Sequence, residues 1–186
     1  MKKILALGVA ILIAGSASAV TMNWAATSIK FNGSTLKNDA TVTGYLIALD
    51  SFATSYTVGS SFSAADVGTV VDDKNKTSAV GKLNHDWSID TDHYGNGDTF
   101  AVLLKYTGAA DGKTYWNLSS ALVTMSNMSL DPPVNAADTT ASFSFATSTN
   151  SGTLTKGGGW TAAVPEPGTA SLALAGLALL LKRRRA

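Results

Sequence analysis

Phe100-Ala101-Val102-Leu103-Leu104-Lys105-Tyr106 decides the fold class. Phe100, Val102, Leu104 and Tyr106 alternate with Ala101, Leu103 and Lys105, and residues two apart share one face of a strand. Downstream, Ala109 to Lys113 with Asp111-Gly112 supplies a turn, and Tyr115-Trp116 opens another apolar run. Residues 98–123 therefore read as one hairpin. Upstream, Thr41 to Leu49 is apolar on both faces, with Val42, Leu46 and Ala48 against Tyr45, Ile47 and Leu49. That pattern suits a strand central in the sheets.

The same logic extends to the rest of the chain. Thr21 to Phe31 has strand composition, and Asn32-Gly33 is a tight-turn pair that favours positive φ. Phe52, Tyr56 and Val58 continue an extended run. Ser63-Ala64-Ala65-Asp66 has the spacing of a helix start, stopped by Gly68 after about one turn. Val67 to Val71 reads alternatively as a short edge strand, with Asp72 to Lys76 as a charged loop and Trp87 in a polar loop beside His85 and Asp86. Leu122 to Leu130 ends at Asp131-Pro132-Pro133; Ala141, Phe143 and Phe145 alternate with serines, and Trp160-Thr161-Ala162 makes a final strand. Short alternating runs, frequent turns and no long amphipathic helix before the tail predict an all-β fold. The expected architecture is an antiparallel β-sandwich or jelly-roll-like domain over residues 20–162.

Both ends of the sequence carry addresses. Met1-Lys2-Lys3, the apolar Ile4 to Ala14, and an Ala-x-Ala site at Ala17 and Ala19 have the three parts of a secretory signal peptide over residues 1–19. Signal peptidase is the expected partner there. At residues 163–186, Pro165-Glu166-Pro167 forms an extended break, because proline lacks the N–H donor a helix needs. A strongly helix-forming apolar run covers residues 169–181, and Lys182, Arg183, Arg184 and Arg185 stop it. As a helix that stretch spans only ~20 Å against a ~30 Å hydrocarbon core, which makes it a temporary membrane anchor. Basic residues stay cytoplasmic, so both ends lie inside and the domain between them on the periplasmic side of the inner membrane.

Pro165, Glu166 and Pro167, the short apolar helix and the arginine-rich end, in that order, resemble the PEP-CTERM sorting signal of exported bacterial proteins. The resemblance covers about the last two dozen residues. It implies recognition by an exosortase-like membrane enzyme, removal of the tail, and release or transfer to the cell surface. It also implies association with extracellular polysaccharide.

Composition excludes several classes. There is no cysteine, hence no disulfide framework and no thiolate metal site. Between Ala19 and Pro165 eight lysines face twelve aspartates, a net charge of −4. All the arginines sit in the tail, so no basic stripe remains for a phosphate backbone and no nucleic acid partner is expected. The one concentration of functional groups is Asp86 to Asp98. Asp90, Asp92 and Asp98 take positions one, three and nine of a calcium loop, but Tyr94 and Ala101 occupy places where ligand oxygens belong. The alternative there is a polar turn with Asn96-Gly97 at its tip. His85 and His93 are read as solvated loop histidines, with no nucleophile motif to join them. Trp87 is the surface candidate for stacking on a sugar ring. No catalytic set emerges. The expected role is a non-enzymatic surface or matrix protein without a cofactor; the alternative is a carbohydrate-binding module, in one version calcium-dependent.

Overall fold

The computed structural model describes residues 21–49, 53–90, 92–125 and 140–164. The signal peptide, the Asp131-Pro132-Pro133 stop, and the tail from Pro165 with its expected membrane helix lie outside those residues. Among the described residues no helix is long and apolar enough to cross a membrane.

Fourteen strands and one turn of 3-10 helix make up the described chain. They are β1 (Thr21–Ala26), β2 (Lys30–Phe31), β3 (Ser34–Thr35), β4 (Val42–Leu49), β5 (Tyr56–Thr57), the helical turn Ala64–Asp66, β6 (Thr69–Asn75) and β7 (Leu83–Ser88). The second half holds β8 (Thr99–Tyr106), β9 (Tyr115–Leu118), β10 (Val123–Thr124), β11 (Thr140–Phe143), β12 (Thr149–Ser151), β13 (Thr153–Leu154) and β14 (Trp160–Ala162). The large sheet runs β12-β14-β9-β8-β4-β6, with β10 also on β8; the small one runs β11-β1-β7.

Strands β4 and β8 form the middle, paired antiparallel along their full length from Val42 opposite Tyr106 to Leu49 opposite Thr99. Period two sorts their side chains. Val42, Leu46, Phe100, Val102, Leu104 and Tyr106 join Met22, Trp24, Leu83, Trp87, Phe143 and Trp160 in one core between the two sheets. Ile47, Leu49, Ala101 and Leu103 point the other way, onto Trp116, Leu118, Val58, Ala64, Val67 and Leu154. The large sheet is thus covered on both faces, by the small sheet on one side and by the chain around β5 and the helical turn on the other. Each fully buried Val, Leu, Ile or Phe contributes roughly 1.5–3 kcal/mol, which makes these two strands the anchor of the fold.

Local chemistry set several joints as expected. Asn32 and Gly33 both take positive φ (47° and 78°) in the turn linking β2 to β3. Ser63 N–H donates to the Asp66 carboxylate at 2.7 Å, closing the helical turn that the Ser-x-x-Asp spacing predicts. Phe31 lies edge-on or tilted against Tyr106, Tyr115 and Trp160, with centroids 4.8–5.8 Å apart, and the Trp160 indole donates to the Lys30 carbonyl at 2.7 Å.

Other expectations need correction. The fold is mixed, not antiparallel throughout: β1 runs parallel to β11, and β12 parallel to β14. Asp72 to Lys76 is no loop, since residues 72–75 belong to β6, paired with β4 from Thr43–Asn75 to Ala48–Thr69 across a bulge at Leu46/Ile47. The charges mark an edge strand, where they discourage pairing with another chain. Trp87 and His85 sit on strand β7, not in a polar loop.

Three tyrosines give the fold an alkaline limit. Burial, with Asp73 directly opposite, pushes the Tyr45 phenol up from 10.0; burial and Asp39 do the same for Tyr106. The hydrogen bond to Asp111 raises Tyr115. A raised pKa favours the neutral phenol, so this stabilisation is complete below pH 10.0 and is lost as pH rises through the raised values. The melting temperature is expected to drop above pH 10, and Tyr45→Phe to make that drop shallower, as read by thermal melts between pH 8 and 11.5.

Candidate functional site

Three places bear on function: the turn at Asp90 to Asp98, the seam between the sheets, and the point where the chain leaves the fold.

In the turn, Asp90 and Asp98 bond the backbone. Asp90 accepts the Asp92 N–H on Oδ1 at 3.2 Å and meets His93 Nδ1 with Oδ2 at 2.7 Å. Its carbonyl accepts from the N–H groups of His93 and Tyr94. Asp98 accepts the Gly95 N–H at 2.7 Å, and Gly97, at φ 102°, completes a tip at Asn96-Gly97. This is an Asx-type turn in which short acidic side chains bond nearby N–H groups. Asp92 is exposed. Among the described residues no three His, Asp or Glu side chains converge in a group suited to a metal ion.

Trp87 is not a surface platform. It is 7% exposed and packs against Tyr94 and Phe100, with centroids 5.5 and 5.4 Å away. Tyr94, which departs from the calcium-loop pattern, is there to cover Trp87. Leu83 and Trp87 face the core from β7 while Asn84, Asp86 and Ser88 face out. Sugar stacking therefore does not fall to Trp87.

At the seam, Asp72 on β6 reaches across to the small sheet. Its Oδ2 accepts the indole N–H of Trp24 at 2.6 Å and lies 2.7 Å from His85 Nδ1. Trp24 is fully buried, and the Asp72 side chain is 15% exposed. Trp24 and His85 are register partners on β1 and β7, so one carboxylate ties an edge strand of one sheet to a strand pair of the other. Composition gave no hint of Asp72. The available signal was the alternation in Leu83 to Ser88, in which His85 occupies an inward position. Gly44 lies nearby on β4. A Cβ there would come 2.7 Å from Leu83 Cδ1 and 3.3 Å from the Trp24 ring, so the missing side chain lets the sheets approach.

The exit is built from the last strand. β14 lies between β12 and β9, with Trp160, Thr161 and Ala162 buried. Ala163 N–H donates to the Thr114 carbonyl and Val164 N–H to the Val58 carbonyl, each at 2.9 Å, and Val164 forms a parallel bridge with Gly59. Beside it a shallow groove of about 300 Å³ is lined by Gly59, Phe62, Lys105, Lys113, Trp116 and Ala163 among others. The fold is thus closed through residue 164, where Pro165, Glu166 and Pro167 begin. Those three, like Lys182, Arg183, Arg184, Arg185, Ala17 and Ala19, fall outside the described residues.

No curated protein and no solved structure matches the chain. Residues 163–186 match the family described as the PEP-CTERM protein-sorting motif, a match confined to the tail. That motif implies an exported protein sorted by an exosortase.

Proposed function

We propose that the chain is a non-enzymatic exported protein of the cell surface or extracellular matrix, whose tail is a handle for an exosortase-like enzyme. The observation that supports this is the junction: a sorting motif whose first two residues, Ala163 and Val164, are hydrogen-bonded into the β-domain. Signal peptidase removes residues 1–19. The apolar run then holds the domain on the periplasmic side of the inner membrane, with the basic cluster inside, until the tail is cut. The product joins the outer surface, where extracellular polysaccharide is the proposed neighbour.

Cell fractionation with intact-mass measurement tests this. The expected product is found with the surface polysaccharide and lacks Arg183 to Arg185. A chain found only in the inner membrane with its basic end attached would contradict the proposal.

A further inference from the structure

The sorting match begins at Ala163, yet Ala163 and Val164 belong to the folded domain by their hydrogen bonds to Thr114 and Val58. Just before them, β14 is paired on both sides, parallel to β12 and antiparallel to β9. Peptide-binding clefts commonly engage an extended backbone through its own N–H and C=O groups. Residues 160–162 are already paired with β12 and β9, and the N–H groups of Ala163 and Val164 that such a cleft would use are already engaged by the Thr114 and Val58 carbonyls.

We infer that the folded domain sets the upstream limit of tail processing: the bond that is cut lies C-terminal to Val164, and the exported product keeps Val164. The inference rests on the processing reading above and adds to it a boundary drawn by the fold. Releasing Ala163 and Val164 breaks two backbone hydrogen bonds, and the open form is suppressed roughly five- to hundredfold by their net worth. Opening further would expose Trp160, which is fully buried. The downstream limit is set by chain length. Only residues 165–168 separate Val164 from the apolar run, and they span at most ~14 Å when extended. An enzyme that cuts outside the bilayer therefore works in a narrow gap, with Gly59 and Thr114 of the domain beside it.

Two measurements test the boundary. Intact mass and C-terminal peptide mapping of the exported protein are expected to show a terminus at Val164 or beyond it. Carboxypeptidase treatment of the same folded product is expected to stall at Val164, and to run on past Trp160 only in denaturant. A native product ending at Ala163 or earlier, or trimming through Ala162 without denaturant, would overturn the inference while leaving the processing reading intact. A chain still carrying Arg183 to Arg185 has a distinctly higher mass; it would overturn the processing reading and this inference with it.

Discussion

Replacing Asp72 with alanine is expected to lower the stability of the exported domain by about 2–4 kcal/mol. The reason is an asymmetry. A hydrogen bond contributes only about 1 kcal/mol net, but a buried donor left without an acceptor costs the whole of its desolvation, about 1–3 kcal/mol. Trp24 is fully buried, and its indole N–H has Asp72 as its acceptor at 2.6 Å. His85 loses its carboxylate as well, though it is more exposed and contributes less. Asp72→Asn separates the two effects. It keeps an oxygen for the indole and gives up the charge, so about 1 kcal/mol is expected. Urea unfolding monitored by tryptophan fluorescence measures both. Equal losses for the two variants would show that charge, and not the orphaned indole, dominates.

Gly44→Ala should destabilise too, against the usual tendency of alanine in a strand. Glycine in the middle of a strand ordinarily costs roughly 0.5–1 kcal/mol relative to alanine. Here the new Cβ would sit 2.7 Å from Leu83 Cδ1 and 3.3 Å from the Trp24 ring. Overpacking of this kind costs about 1–3 kcal/mol, so the steric effect wins and a net loss of about 1–2 kcal/mol is expected. Leu83 is 1% exposed and has little room to turn away. Gly44→Ala combined with Leu83→Ala should therefore lose less than the sum of the single losses, because the shortened side chain accepts the new methyl. Strict additivity in urea unfolding would show that Gly44 does not set the gap between the sheets.

Sequence and structure agree where period two is unbroken. Phe100 to Tyr106 declared itself as a strand by its alternation and Thr41 to Leu49 by its two apolar faces, and both strands bury side chains on both faces. Asn32-Gly33 and Ser63 to Asp66 were legible because a few adjacent residues contain their whole physics. Strand β6 was legible only at its start, in the edge-strand reading of Val67 to Val71; its second half was not, since Asp72, Asp73 and Lys74 look like a solvated run, and only the distant Trp24 and His85 make an inward aspartate sensible. Strand β7 was hidden for a related reason, with a histidine standing where an apolar residue would have completed the alternation. The parallel partnership of β1 with β11 joins Trp24 to Ala141, and no local pattern reports so remote a pairing. Trp87 misled because its neighbours in sequence are polar, while its neighbours in space are Tyr94 and Phe100.

The sorting tail was the reverse case, legible in full from its order of proline break, apolar run and arginines, and matched as such. The domain contributes what the tail cannot: a folded body that holds the first two residues of the motif match, Ala163 and Val164, by backbone hydrogen bonds. All described residues of its two cores lie within residues 22–163.

The most direct measurement follows the chain in cells with and without the exosortase-like enzyme, by intact mass of each fraction. With the enzyme, a trimmed domain is expected at the surface. Without it, the chain should accumulate at the inner membrane with Arg183, Arg184 and Arg185 still attached. Identical trimmed protein outside both kinds of cell would contradict the account.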